Sequence, residues 1–118
     1  MNSPKKRPVS VVPSPGVKEA FRKLKKLHPE IRDAIKIFNK NKRSIPPTPL
    51  PVEMKDHALK GALKGIRECH LDGRAGDILL LYTHENDVIR MLAICRHAEL
   101  HHKKSSQLKK RTTKNTAA

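Results

Sequence analysis

The sequence predicts an α+β fold: two amphipathic helices in the N-terminal part, packed on a small sheet built from the rest. Three observations carry this. Apolar residues recur at helical spacing from Val17 to Phe38. Four prolines within Ile45–Pro51 then exclude both helix and central strand. Beyond them, short runs rich in Ile, Leu and Val alternate with polar turns.

The elements follow in order. Val9-Ser10-Val11-Val12 is rich in β-branched residues and predicts a short strand ended by Pro13. Ser14-Pro15 is a helix entry, with Ser14 as cap and Pro15 at the first helical position. Val17, Ala20, Phe21, Leu24 and Leu27 make one apolar stripe, and Lys and Arg fill the other face. His28-Pro29 breaks that helix and starts a second. Ile31, Ala34, Ile35 and Phe38 form its stripe, and its end is expected to fray into Asn39–Arg43. After the stiff, proline-rich connector come three candidate strands: 66–71, 77–83 and 88–95. His84-Glu85-Asn86-Asp87 joins the last two as a hairpin. Arg90 is the one polar residue of the third strand, which predicts a central strand covered on both faces.

Composition narrows the function. The chain has 118 residues, enough for one domain, and carries 26 basic against 11 acidic side chains, a net +15. Residues 1–43 hold 13 basic and 3 acidic groups, giving +10. Residues 44–102 hold 7 and 8, giving −1, and residues 103–118 hold 6 and none, giving +6. We therefore divide the chain into a basic tail (1–7), one domain (8–102) and a basic C-terminal tail (103–118) expected to be disordered. Such charge attracts phosphate backbones, an acidic protein or an anionic surface. The longest apolar run, Ile78–Tyr82, falls far short of the roughly 20 residues that span a bilayer. No signal peptide opens the chain, so a soluble intracellular protein is expected. Two cysteines, Cys69 and Cys95, are too few for a disulfide framework. Pro4-Lys5-Lys6-Arg7-Pro8-Val9 has the form of a nuclear-import signal, a pattern common by chance in basic chains.

The chemistry-bearing residues lie in the neutral middle. His57, His70, His84, His97 and His101, with His102 adjoining, accompany Asp56, Glu68 and Asp77. Imidazole takes and gives protons near neutral pH, which suits RNA cleavage without a metal. Zinc is the competing reading, from Cys69-His70 and Cys95 to His101. However, no Cys-x-x-Cys pair occurs, and neighbours on a strand point to opposite faces. Gly73-Arg74-Ala75-Gly76 matches a nucleotide-clamping GxxG loop, but between two strands it reads as a hairpin turn.

Four segments, in order, resemble one family. They are Lys55-Asp56-His57-Ala58-Leu59-Lys60-Gly61, Arg67-Glu68-Cys69-His70, Asp77-Ile78-Leu79-Leu80-Leu81-Tyr82 and His97-Ala98-Glu99-Leu100. Together they resemble the YafQ group of the RelE/ParE superfamily, toxins of bacterial type II toxin–antitoxin systems. The resemblance implies two helices on an antiparallel sheet of about four strands, with a short helix after the last. It also implies mRNA cleavage at the ribosome, neutralisation by an acidic, partly disordered antitoxin, a bacterial cytoplasmic location, and no cofactor, metal or membrane. Carried over to this chain, His97 is the general acid. His57 and Glu68 lie where the 2′-hydroxyl proton leaves, and His70 and Asp77 support the site. Arg67, Arg90, Arg96 and His101 are the expected RNA contacts.

The chain also departs from the family. His101 stands where an aromatic residue is usual, and Cys95-Arg96 replaces a Gly followed by a small hydroxyl residue. Arg96 fits a phosphate clamp and a plain surface position equally well. The 71–76 loop is longer than usual, so Asp72 is the alternative to Asp77. Two other readings remain: a ParE-like toxin that acts by binding alone, and a basic nucleic-acid module.

Overall fold

The structure, a computed structural model, describes residues 9–100. Both tails, the import-like segment up to Pro8, His101 and His102 lie outside them. Strand β1 (Ser10–Pro13) leads into helix α1 (Pro15–Leu27), and α2 (Glu30–Arg43) follows. After the proline segment come β2 (His57–Ala58), β3 (Arg67–His70), β4 (Ile78–Glu85), β5 (Val88–Arg96) and the one-turn α3 (His97–Leu100). The sheet order is β1-β5-β4-β3-β2. It is mixed, because β1 runs parallel to β5 while the other pairs are antiparallel. The expected antiparallel sheet of about four strands thus gains a fifth. The helical connection between β1 and the hairpin is what permits a parallel neighbour.

The helix entry forms as its residues dictate. Ser14 Oγ accepts from the Val17 N–H at 3.1 Å and donates to the Leu92 carbonyl at 3.3 Å, so the cap also ties α1 to β5. The apolar stripe of α1 ends at Leu24, since Leu27 is 78% exposed. The polar end of α2 does not fray. Asn41 Nδ2 donates to the Pro49 carbonyl at 2.9 Å, and the Asn41 carbonyl accepts from the Thr48 N–H at 2.9 Å. Lys42 meets Asp56 at 3.2 Å. These contacts return the proline connector along the helix it leaves.

Alternation along β3 divides the molecule into two faces. Cys69 joins Val17, Ile31, Phe38, Leu80, Tyr82 and Met91 in the core beneath the helices. Phe38 and Tyr82 meet there edge to face, with ring centroids 5.0 Å apart. Glu68 and His70 take the opposite face, where Leu63, Ile66, Leu81, Leu92 and Cys95 form a smaller core closed by Leu100. The β4–β5 register jumps between Leu81 and Tyr82. That bulge leaves Leu92 without a partner across the ladder and puts both Leu92 and Ala93 against the smaller core.

Candidate active site

The face turned away from α1 and α2 collects His57, Glu68, His70 and His97, with Asp77 bonded to His97. His57 on β2 lies opposite Glu68 on β3, and its Nε2 is 3.3 Å from Glu68 Oε1. Its Nδ1 is 2.6 Å from the Lys55 carbonyl, an oxygen that only accepts, so Nδ1 carries hydrogen. Lys55 adopts the left-handed conformation (φ 46°, ψ 49°), and the turn this makes brings its carbonyl to the His57 ring. Bound at Nδ1, His57 meets Glu68 through Nε2 alone. Ring Nε2 and carboxylate thus stand 3.3 Å apart, close enough to relay a proton between them.

His70 projects beside Glu68, its Nε2 4.0 Å from the same Oε1, while its Nδ1 faces the Gly73 carbonyl at 3.3 Å. Both Glu68 and His70 are buried. The His97 ring stands edge-on to His70 at 5.4 Å. His97 begins α3 and is held by Asp77. Oδ1 of Asp77 accepts from the His97 backbone N–H at 2.9 Å and from ring Nδ1 at 2.7 Å. Arg96 Nη1 approaches Oδ2 of Asp77 at 3.5 Å. The His97 backbone bond first, and then its ring, hold the Asp77 carboxyl below the usual range, so it stays ionised at neutral pH. The bond at Nδ1 leaves Nε2 of the half-exposed His97 to face solvent or substrate. The start of α3 is braced by Glu99, whose Oε1 accepts from the Arg96 N–H at 2.7 Å.

The longer 71–76 loop does not displace Asp77. Asp72 acts behind it instead. The Asp72 carboxylate accepts from the Asp77 and Ile78 N–H groups, both at 3.0 Å, and so closes the turn. The Gly73–Gly76 stretch is a turn between β3 and β4, with Gly76 N–H on the Gly73 carbonyl at 3.0 Å.

Not every candidate converges. Arg90 lies six residues before Arg96 on β5, about 20 Å along the strand, opposite Thr83. His84 is near the same far end of β4, and partial burial pushes its pKa down. Arg67 alternates to the other side of β3 from Glu68. Its Nε contacts the Tyr82 hydroxyl at 3.2 Å and Asp56 Oδ1 at 3.3 Å. Cys69 is fully buried, and burial pushes its thiol pKa up, so it cannot serve as a thiolate ligand. Among the described residues, the metal-capable donors are instead Glu68, His70 and His97, whose ligand atoms lie within 4.8 Å of one another.

A neighbouring ionic cluster escaped the reading of the sequence. Asp56 receives the Tyr82 hydroxyl at 2.5 Å, Lys42 at 3.2 Å and Arg67 at 3.3 Å. Burial raises the Asp56 pKa, but the Tyr82 hydrogen bond and the two cations outweigh it and leave a net lowering. Lys42 also stands 5.1 Å from the Tyr82 ring centroid. Asp56 adjoins His57 in sequence, and that adjacency was the available signal.

Known proteins share this architecture. No curated protein matches the chain by sequence. Among solved structures it is similar to YafQ from E. coli, with 22% identity, a TM-score of 0.60, and coverage of 78% of this chain and 97% of that one. The toxin of the E. coli DinJ–YafQ toxin–antitoxin complex gives 24%, 0.58, 78% and 96%. A copper-bound mutant toxin from Helicobacter pylori gives 28%, 0.59, 78% and 98%. The family model described as a bacterial toxin of type II toxin–antitoxin system, YafQ, matches residues 12–102. With most of its length matched, the chain belongs to the YafQ family of type II toxins.

Proposed function

We propose that this toxin is a metal-independent endoribonuclease that cleaves mRNA at the ribosome and is neutralised by a cognate antitoxin. One observation carries the reading: two proton-handling units, His57–Glu68 and His97–Asp77, flank the buried His70 on a single face. The His57–Glu68 pair takes the proton of a 2′-hydroxyl, whose oxygen attacks the adjacent phosphorus. His97 gives its Nε2 proton to the 5′-oxygen as the P–O5′ bond breaks. The products are a 2′,3′-cyclic phosphate and a 5′-hydroxyl. Arg96 balances phosphate charge, and Asp77 keeps the His97 ring oriented. The antitoxin partner rests on the family and on the DinJ–YafQ complex.

The test is cleavage of translated mRNA by purified protein, with the ends of the fragments mapped. Cyclic-phosphate and 5′-hydroxyl ends are expected, and His97→Ala should lower the rate about 100-fold or more. Full activity in His57→Ala, Glu68→Ala and His97→Ala alike would remove the catalytic roles. No cleavage by the native protein, with toxicity retained, would leave the reading of a toxin that acts by binding.

A second reading concerns metal. Two imidazoles and a carboxylate are a donor set that zinc and copper favour, and the H. pylori relative is described as copper-bound. A cation held by Glu68, His70 and His97 would engage His97 and block its proton transfer. Titration calorimetry with zinc or copper, repeated on His70→Ala, separates binding at these residues from binding elsewhere.

A further inference from the structure

Beside His57, at the β2 edge of the sheet, lies an open groove of about 670 Å³, and the sheet order puts β3 and β4 between β2 and the end of β5 that leads into His97. Its size falls within the roughly 300–1,000 Å³ typical of ligand pockets. Pro51 and the exposed Val52 form an apolar wall, while Lys55, Arg67 and Arg74 supply three cations. The one acid there, Asp56, is already engaged by Tyr82, Lys42 and Arg67. Among the described residues, neither Lys55 nor Arg74 has an ion-pair partner, so both are available to a ligand. A channel with an apolar wall and free cations fits a nucleotide: a base face against Pro51–Val52, phosphates towards Lys55 and Arg74.

The site's chemistry fixes which part of the RNA lies there. The attacking 2′-hydroxyl belongs to the nucleotide on the 5′ side of the broken bond, and the leaving 5′-oxygen to the nucleotide on its 3′ side. The proton acceptor, His57–Glu68, is on the groove side, and the proton donor, His97, is on the other. We infer that the groove of Pro51, Val52, Lys55 and Arg74 is the subsite for nucleotides upstream of the scissile phosphate, so that RNA crosses the sheet 5′ to 3′ from β2 towards α3. This rests on the ribonuclease reading, and it adds strand polarity and two phosphate-binding residues outside the catalytic set. The groove also becomes the place where upstream sequence preference is set.

The experiment uses a mixed-sequence 2′-O-methyl hexanucleotide, which cannot be cleaved, so its outcome is separate from that of the cleavage assay. A photoreactive group at its 5′ end should crosslink to the peptide holding residues 49–55. The same group at the 3′ end should crosslink to the peptide holding residues 96–100. By fluorescence anisotropy, Lys55→Ala/Arg74→Ala should weaken binding about tenfold, with a lower dependence on salt. Reversed crosslinks overturn the polarity and leave the nuclease reading intact. Crosslinks at neither place, or unchanged affinity in the double variant, overturn the subsite. If the native protein fails to cleave mRNA while the crosslinks run as expected, the nuclease reading fails and the RNA path stands.

Discussion

Asp77 grips His97 twice through one oxygen, at 2.9 Å from the backbone nitrogen and 2.7 Å from ring Nδ1. The first bond fixes where α3 starts, and the second fixes which ring nitrogen is left free of Asp77. Both arise because β4 begins beside the end of β5, with Ile78 opposite Arg96 in the register. A carboxylate bonded to one ring nitrogen holds the imidazole's orientation and tautomer.

If His97 is the acid and Asp77 acts through it, their effects should not add. Asp77→Asn is expected to lower single-turnover cleavage about 10- to 100-fold, with substrate affinity little changed. His97→Ala should cost more. The double variant should then be no slower than His97→Ala alone, because Asp77 has nothing left to orient. Multiplicative losses in the double variant would give Asp77 a role of its own.

Gly76 carries a second, structural dependence. A Cβ built there would lie 2.0 Å from Asp72 Oδ1 and 2.6 Å from the Asp72 carbonyl oxygen. The Asp72 carboxylate cannot swing away freely, since it holds the Asp77 and Ile78 N–H groups. Gly76→Ala should therefore shift the residue that positions His97. Expected outcomes are a lower urea midpoint and a cleavage loss comparable to that of Asp77→Asn. Gly61→Ala is the contrast: nothing lies within 4 Å of its Cβ, although its φ of +66° makes the substitution strained. Its damage should be confined to stability. Equal loss of cleavage in both variants would count against the clash argument.

These contacts mark how far the sequence could be read. The helices, the Ser14 cap and β3 to β5 are legible because each has a strong local signal: 3.6-residue spacing, a hydroxyl before Pro15, or an apolar run between turns. Strand β2 is two exposed residues with no periodicity, so only pairing with β3 defines it. That β1 joins the sheet parallel to β5 depends on chain path, which local pattern does not encode. Within the site, His57, Glu68, His70, Asp77 and His97 were readable as motif residues. Arg90, an isolated cation on an apolar strand, was grouped with them although it lies at the strand's far end. The Lys42–Asp56–Tyr82 contacts join residues up to 40 positions apart, and Tyr82 reads in sequence as one more apolar strand residue.

Asp56 ties α2, β3 and β4 together, so its charge should govern acid stability. Its folded pKa lies below the usual value, whereas in the unfolded chain it is about 3.9. The stabilisation is therefore complete above about pH 4 and is lost as pH falls through the lower folded value. Asp56→Asn keeps an acceptor for Tyr82 but leaves Lys42, only 12% exposed, without its anion. A loss of about 2 kcal/mol is expected at pH 7. By denaturant unfolding, the gap between native and variant should narrow steadily below pH 4. A gap of constant size from pH 7 to pH 2.5 would show that the charge of Asp56 is not what stabilises the cluster.

The basic excess of the N-terminal part is concentrated on the helices. Lys18, Lys23, Lys26, Arg32, Lys36 and Lys40 are exposed on α1 and α2, and Glu19 is the one acid on α1, shared between Arg22 at 2.7 Å and Lys23 at 3.5 Å. This surface covers one face of the sheet, while Glu68, His70 and His97 lie on the other. If the helices dock on ribosomal RNA, as the proposed function requires, that docking should release counterions and so depend steeply on salt. Proton transfer among residues already in contact should not. Raising salt from about 50 to 200 mM should weaken ribosome association at least tenfold, measured by sedimentation. Over the same range, single-turnover cleavage by the preformed complex should change by less than about twofold. Equal salt dependence of both would mean that the basic helices take part in the cleavage step, and that the two faces do not divide the work.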